Sequence, residues 1–377
     1  MKPVALYIHW PYCARICPYC DFNVTRDRNQ TEVQTRLFEA IRRDLHTQVQ
    51  DLGPRHLASV FFGGGTPSLM PPDWVAALIE DARTLFPPQG DIEITLEANP
   101  TDAEIARYQA FRSAGINRLS IGIQSLKDQA LKFLGRNHSA REALTGLETA
   151  LSVFNRVSLD LIYALPDQTL SQWEAELTRA AQLGVEHISP YQLGIEPNTA
   201  FGRAARRGTL NPVDPELGEA FYEVTQSVLT RLGFDAYEVS NHAKGTAARS
   251  QHNLNVWEGV DYIGIGPGAH GRLTLADDQA RHATVAEPDL KTYISRVNDH
   301  GTGIDIERLS PEESAEEALM LGLRLTEGVR HERLSGLALN AKPDLMADGF
   351  LDQSDTHLFA TPKGRLVLDR LLLELLS

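Results

Sequence analysis

All three cysteines of this 377-residue chain fall in one short stretch, YIHWPYCARICPYCDFN, with the spacing Cys13-x3-Cys17-x2-Cys20. Thiolates are soft ligands suited to iron–sulfur clusters or zinc. A structural zinc asks for four ligands, usually as two separated pairs, so this loop serves zinc only if His9 joins it. A [4Fe–4S] cluster held by three cysteines keeps one iron free of protein, and an open coordination site is what chemistry needs. The remaining reading is an unmetallated reactive thiol. An odd number of clustered cysteines in a reducing compartment speaks against a disulfide framework and for a metal or a reactive thiol.

The elements that must hold this loop show as an alternation of two periods. VALYIHW, ASVFFGGG, DIEITLEANP, RLSIGIQS, VSLDLIYALP and HISPYQLGIE read as six strands, most of them apolar on both faces. Helical segments lie between them. Val33, Leu37, Ile41, Leu45 and Val49 recur at i+4 steps as one apolar stripe. Thr101-x-x-Glu104, Ser139-x-x-Glu142 and Ser171-x-x-Glu174 fit the capping box, in which hydroxyl and carboxylate satisfy orphan backbone donors. This series predicts an α/β fold: a parallel sheet covered by helices, curled by right-handed crossovers into an open (β/α)6 partial barrel over about residues 1–240. A flat doubly wound sheet is the alternative.

The pattern then changes. Residues 241–290 are expected to connect: YEVSNHAK is a candidate strand, and SQHNLNVWEGVDYIGIGPGAHG, without helical period, predicts an ordered loop against the barrel mouth. Residues 291–377 read as a small, mainly helical, winged-helix-like module. Ser310-Pro311-x-Glu313 opens a helix, and the end reads strand, turn, strand and a last helix capped by Thr361 with Pro362 at its first position. Leu366, Leu371, Leu372, Leu375 and Leu376 of that helix are expected to pack on their own domain.

Composition narrows the function classes. With 36 Lys+Arg against 50 Asp+Glu, a net charge of -14 and a pI near 5.3, the chain offers nucleic acid no broad basic surface. No apolar run approaches the ~18 residues of a membrane span, and MKPVALYIHW has no apolar leader run. Both point to a cytoplasmic protein without an integral membrane segment, with peripheral membrane association left open.

In a parallel barrel the loops leaving the carboxyl ends of the strands meet at one mouth. The cysteines follow strand one, Gly63-Gly64-Gly65-Thr66 follows strand two, Glu97 and Gln124 end strands three and four, and Asp160 lies in strand five. GGGTPS has neither the Lys nor the spacing of a phosphate loop. Its bare glycines let a ligand approach the backbone.

A cysteine triplet after the first strand of a βα series, with an aromatic, Tyr19, before its last member, resembles the radical S-adenosylmethionine (SAM) enzymes. The wider frame, with FFGGGTPS, LEANP, SIGIQS, LGRNH, DLIYALP and HNLNVW, is similar to the oxygen-independent coproporphyrinogen III oxidase family from residue 7 to about 270, and more loosely beyond. The resemblance implies a [4Fe–4S] cluster on Cys13, Cys17 and Cys20 with SAM on its open iron. It also implies SAM contacts from Tyr7, Gly64, Gly65, Thr66, Glu97, Gln124, Arg136 and Asp160, with Tyr19 and Gln192 flanking.

Substrate-oxidising members carry another cysteine two positions after the third, and a longer N-terminal segment. Here Asp21 and Phe22 follow Cys20, and six residues precede Tyr7. Both departures resemble the family's shorter haem-chaperone branch, which implies haem as a ligand and apo-haemoproteins as acceptors. That branch's H-N-x-x-Y-W motif is implicated in holding haem; this chain reads His252-Asn253-Leu254-Asn255-Val256-Trp257, with Val256 where the tyrosine stands. His252 remains a candidate ligand, Trp257 a candidate face for the macrocycle and His270 a lesser candidate. The alternative is an enzyme that oxidatively decarboxylates the propionates of coproporphyrinogen III.

Overall fold

The apolar runs form six parallel strands: β1 (Lys2–Trp10), β2 (Arg55–Gly64), β3 (Glu93–Ala98), β4 (Arg118–Gln124), β5 (Arg156–Tyr163) and β6 (His187–Gln192). The computed structural model describes residues 1–377, the side chains of Asp102 and Ala103 excepted. Each strand pairs with the next in chain order. A doubly wound sheet reverses its order at a switch point, so this strict succession rules that alternative out. Helices α1 (Thr31–Gln48), α2 (Pro72–Leu85), α3 (Tyr108–Ala114), α4 (Ala140–Val153), α5 (Leu170–Ala181) and α6 (Pro215–Arg231) lie in the successive connections. The stripe on α1 buries Leu37, Ile41 and Leu45 completely, and Val49 falls just past the helix as its C-cap.

Two of the three capping expectations need correction. Ser139 and Glu142 form the expected box at the start of α4. The box of α5 sits two residues upstream of the expected one, on Thr169 and Gln172, because Thr169 has the extended backbone an N-cap requires. Thr101 donates its hydroxyl to the Glu104 carboxylate at 3.2 Å, while Glu104 turns inward to the Asn99 amide at 2.7 Å.

The segment expected as a loop is regular. Residues 251–257 form helix α7 (Gln251–Trp257), and β7 (Asp261–Ile265) pairs in parallel with β1 on the side away from β2. Antiparallel strands β8 (His270–Thr274), β9 (Arg281–Ala286) and β10 (Ile304–Arg308) continue that edge. At the other edge His242–Ala243, inside YEVSNHAK, runs antiparallel to β6. The barrel therefore stays open, with added strands at both ends.

These additions move the expected boundary of the last module. Helix α8 (Leu290–His300) packs on α1, where Arg43 donates to Asn298 at 3.0 Å, and β10 belongs to the main sheet. The independent module opens with α9 (Pro311–Gly322) and its Ser310–Glu313 capping box. A three-stranded antiparallel sheet follows, with β11 (Val329–Arg330), β12 (Leu351–Gln353) and β13 (His357–Ala360). Thr361 caps a short helix, Pro362–Leu366, and a last helix follows at Leu368–Leu375. Leu319, Leu323, Leu358, Leu371 and Leu375 form this module's own core, so the last helix packs at home as expected. Among the described residues, no helix is long and apolar enough to cross a membrane.

Candidate functional site

The cysteine loop is tied at both ends. Asp27 and Thr25 amides donate to the Cys13 and Pro11 carbonyls at 2.8 Å. His9, at the end of β1, donates from Nε2 to the Asn23 carbonyl at 2.8 Å, which leaves its Nδ1 to accept from the Tyr7 hydroxyl at 3.1 Å. Asn23 in turn donates to the Pro267 and Pro288 carbonyls. The ring of His9 is thus committed to holding the loop, and the zinc reading loses its fourth ligand.

All three cysteines are unpaired thiols lining one cavity of about 350 Å³ at the barrel mouth. Among the described residues, no three His, Cys, Asp or Glu side chains converge on a point where a single ion could sit. A mononuclear zinc needs such convergence, whereas a cluster offers separate irons to separate thiolates. Burial pushes the Cys13 thiol up to about 11 and raises that of Cys20. Arg136 is half-buried, with Nη1 3.4 Å from Cys17 Sγ, and donates to the Gly122 carbonyl at 2.7 Å and to Asn99. A half-buried guanidinium beside thiols suits a soft, anionic group on those cysteines.

The same cavity takes in Tyr19, Gly64, Gly65, Thr66, Glu97, Gln124, Asp160 and Gln192, so nearly all the expected SAM contacts meet there. Gln124 sits at φ +70°, a conformation that costs a non-glycine residue energy and gathers at functional sites. Glu97 accepts from the Gly64 amide at 3.3 Å; burial and then the nearby Asp160 carboxylate push its pKa up to about 8. Burial likewise raises Asp160 to about 6, against the Ser120 hydroxyl that donates to it at 3.1 Å. Two enclosed acids on one wall are a ready set of acceptors for a diol or a cationic ligand.

The glycines also answer a packing demand. A Cβ on Gly64, at φ +105°, would lie 2.5 Å from His9 Cε1, and one on Gly65 would lie 2.7 Å from the Pro11 carbonyl oxygen. The loop is glycine-rich so that it can dock on the cysteine loop, to which the Gly65 and Thr66 amides donate at 2.8 Å.

Tyr7 is the expected contact that lines a different space. It faces a second cavity of about 330 Å³ with His252, Val256, Tyr262 and His270, which shares Phe22, Gly64 and Glu97 with the first. His252 is nearly buried, its Nδ1 3.2 Å from Ser59 Oγ and its ring stacked on Phe61 at 4.8 Å; burial brings its pKa down to about 4. His270 is exposed on the rim. At 3.6 residues per turn, Val256 sits about 40° round α7 from His252 but Trp257 about 140°. Trp257 accordingly faces a third cavity, toward the C-terminal module, and the Arg324 guanidinium covers one face of its ring at 4.6 Å.

Sequence reasoning passed over Asn99, which binds Arg136, and Ser120, which holds Asp160. Asn99 had a signal: in LEANP it lies two residues after Glu97, the strand period that points both side chains to one face. Ser120 had none, since its partner lies 40 residues away.

Residues 7–180 match the radical SAM superfamily and residues 309–367 the HemN C-terminal domain. The chain is 36% identical over 381 residues to "Heme chaperone HemW" of Escherichia coli, covering 99% of this chain and 98% of that one. It is 41% identical over 394 residues to the mitochondrial "Radical S-adenosyl methionine domain-containing protein 1" of Bos taurus, covering 99% and 87%. The solved structure of coproporphyrinogen III oxidase (HemN) from Escherichia coli shares the fold, with a TM-score of 0.82 at 22% identity over 100% of this chain and 90% of that one. Full-length identity and the same two domains in the same order thus establish that the chain belongs to the HemW branch of the radical SAM superfamily, a superfamily whose membership implies a [4Fe–4S] cluster and SAM.

Proposed function

We propose that the chain is a haem chaperone, which binds haem beside a cluster-and-SAM site and passes it to apo-haemoproteins. The observation that carries this reading is the second cavity. It brings the imidazoles of His252 and His270, beside the committed ring of His9, and the rings of Tyr7, Phe22 and Tyr262 to a space that adjoins the cysteine cavity but contains no cysteine. Burial brings His252 down to about 4, so it is neutral at physiological pH, the state in which a histidine ligates haem iron, and partial desolvation at the rim lowers His270 in the same direction. Phe22, which divides the two cavities, stands where the resembling oxidases carry a further cysteine.

In this reading Cys13, Cys17 and Cys20 hold the cluster, and Arg136 offsets its negative charge. Glu97, Asp160, Gln124, Gly64, Gly65, Thr66 and Tyr7 position SAM, with Tyr19 and Gln192 at its flanks. The cluster, when bound, supplies one-electron chemistry and an open iron for SAM. Free thiols support a reducing compartment, in keeping with the expected cytoplasm.

The test is anaerobic reconstitution with iron and sulfide, followed by titration with hemin. A Soret shift that saturates near one haem per chain, and shrinks in His252→Ala or His270→Ala, is expected. No Soret change, or turnover of coproporphyrinogen III with SAM and a reductant, overturns the reading.

A further inference from the structure

The third cavity belongs neither to the cysteines nor to the imidazoles. It encloses about 180 Å³ between the end of α7 and the C-terminal module, lined by Tyr191, Asn253, Val256 and Trp257 on one side and Arg324, from beyond α9, on the other. Val256 also lines the haem cavity and Tyr191 the cysteine cavity, so the three spaces adjoin.

Its polar atoms are unmatched. Trp257 Nε1 and Arg324 Nε are buried donors without a hydrogen-bond partner, and Asn241 Oδ1 is a buried acceptor without one. Each such group costs about 1–3 kcal/mol if nothing meets it, and native proteins rarely leave several together. Donors outnumber acceptors here. Charge does not oppose a further acceptor: the lining holds one guanidinium, Arg324, and one carboxylate, the buried Glu238, and Arg365 acts on that carboxylate from outside the lining. Arg365 Nη2 is a further unpartnered donor behind it.

We infer that this pocket is a carboxylate-binding subsite, formed by Arg324 and the Trp257 indole N–H, that takes an acidic substituent of the molecule in the adjoining haem cavity. The inference rests on the haem reading above. Haem carries two propionates on one edge, and a guanidinium with an indole N–H beside it gives one of them charge-assisted hydrogen bonds in a partly dry site. Val256, on the His252 side of α7, is the wall between iron and propionate. The C-terminal module thereby supplies a binding residue, Arg324, to a site otherwise built by the barrel.

The test compares hemin with hemin dimethyl ester, which keeps the iron and ring but blocks both carboxylates. Wild-type protein is expected to bind hemin at least about 10-fold more tightly than the ester, and Arg324→Met to reduce that preference to about twofold by weakening hemin binding alone. A Soret titration reads both, with a thermal melt to show that the variant is folded. Should Arg324→Met unfold, Trp257→Phe, which removes the N–H and keeps the ring, is expected to lower the preference in the same direction. Equal binding of hemin and ester by wild type, or an unchanged preference in a folded variant, overturns the subsite and leaves the haem reading standing. If wild type shows no Soret change with either ligand, the haem reading falls, and the subsite with it.

Discussion

The Glu93 carboxylate, on the third barrel strand, accepts a hydrogen bond from the backbone amide of His252 at 3.1 Å across 159 residues of sequence, and a second from Gln251 at 3.1 Å. Together with Ser250, whose hydroxyl accepts from Asn253 at 3.3 Å, it caps the helix that carries His252, Val256 and Trp257. Arg156 at 2.8 Å and Arg118 at 3.9 Å hold the carboxylate from the other side. The floor of the barrel thus sets the height of the histidine.

Replacing that charge tests the arrangement. Burial alone would raise the Glu93 pKa; Arg118, Arg156 and the two amides outweigh it, so the folded value lies below the ordinary one. A depressed carboxylate contributes stability that is present above its unfolded pKa of about 4.5 and lost as pH falls through the folded value. Glu93→Gln leaves Arg118 without its ion-pair partner and Arg156 with Glu186 alone, and is expected to cost about 3 kcal/mol at pH 7. The difference in melting temperature from wild type should shrink toward pH 3. A variant that melts with wild type at pH 7 would contradict the coupling.

That capping explains why helix α7 was illegible. In SQHNLNVW the apolar residues Leu254, Val256 and Trp257 make no clear stripe, and the seven-residue helix is stabilised by a glutamate 159 positions upstream. Strand β7 was missed for a related reason: DYIGI is short and glycine-interrupted, and becomes a strand because the edge of β1 is there to pair with it. The six barrel strands were legible because each is an apolar run bounded by glycine, proline or polar residues. The cysteines, Glu97, Gln124 and Asp160 were legible because strand ends of one sheet must meet at its mouth. The direction Trp257 faces was not, since it depends on where the histidine of its helix is pinned.

The caps of α5 give a direct comparison of sequence and structure. Thr169 accepts from the Gln172 amide at 3.3 Å and is the N-cap, while Ser171, the residue the sequence pattern favoured, lies inside the first turn. Thr169→Ala is expected to cost about 1 kcal/mol, and Ser171→Ala to stay within about 0.5 kcal/mol. Urea unfolding of both variants decides it; the reverse ranking would place the helix start at Ser171.

The acids of the cysteine cavity make the empty protein pH-sensitive in the opposite sense to Glu93. Glu97, near 8, and Asp160, near 6, are held above their unfolded values, so the folded state binds protons that the unfolded state releases. Stability of the unliganded protein should therefore fall as pH rises from about 5 to about 8. Glu97→Gln removes the larger part of that slope: the variant is expected to melt several degrees above wild type at pH 8 and close to it at pH 5. The same variant should bind SAM more weakly. A melting temperature at pH 8 no higher than wild type's would show that Glu97 is not held in the enclosed, proton-favouring setting described.

Arg136 offers the sharpest separation of charge from packing near the thiols. Its guanidinium touches Cys17, Asn99 and Gly122, and is the cation that faces the cysteine loop from the strand β4 side. An anionic cluster on those thiolates gains from the charge, whereas the empty, protonated thiols do not need it. Arg136→Met, which keeps the aliphatic stem, is therefore expected to hold iron about 10-fold less tightly, in line with other residues that contact metal ligands. Its apo-protein should melt no lower than wild type, because a half-buried cation with no carboxylate in ion-pair contact costs desolvation that the methionine does not. Iron and sulfide per chain after a fixed exposure to chelator, set beside the apo melting curve, read the two effects independently. Equal iron retention with a lowered apo melting temperature would make Arg136 a packing residue and take the electrostatic argument away.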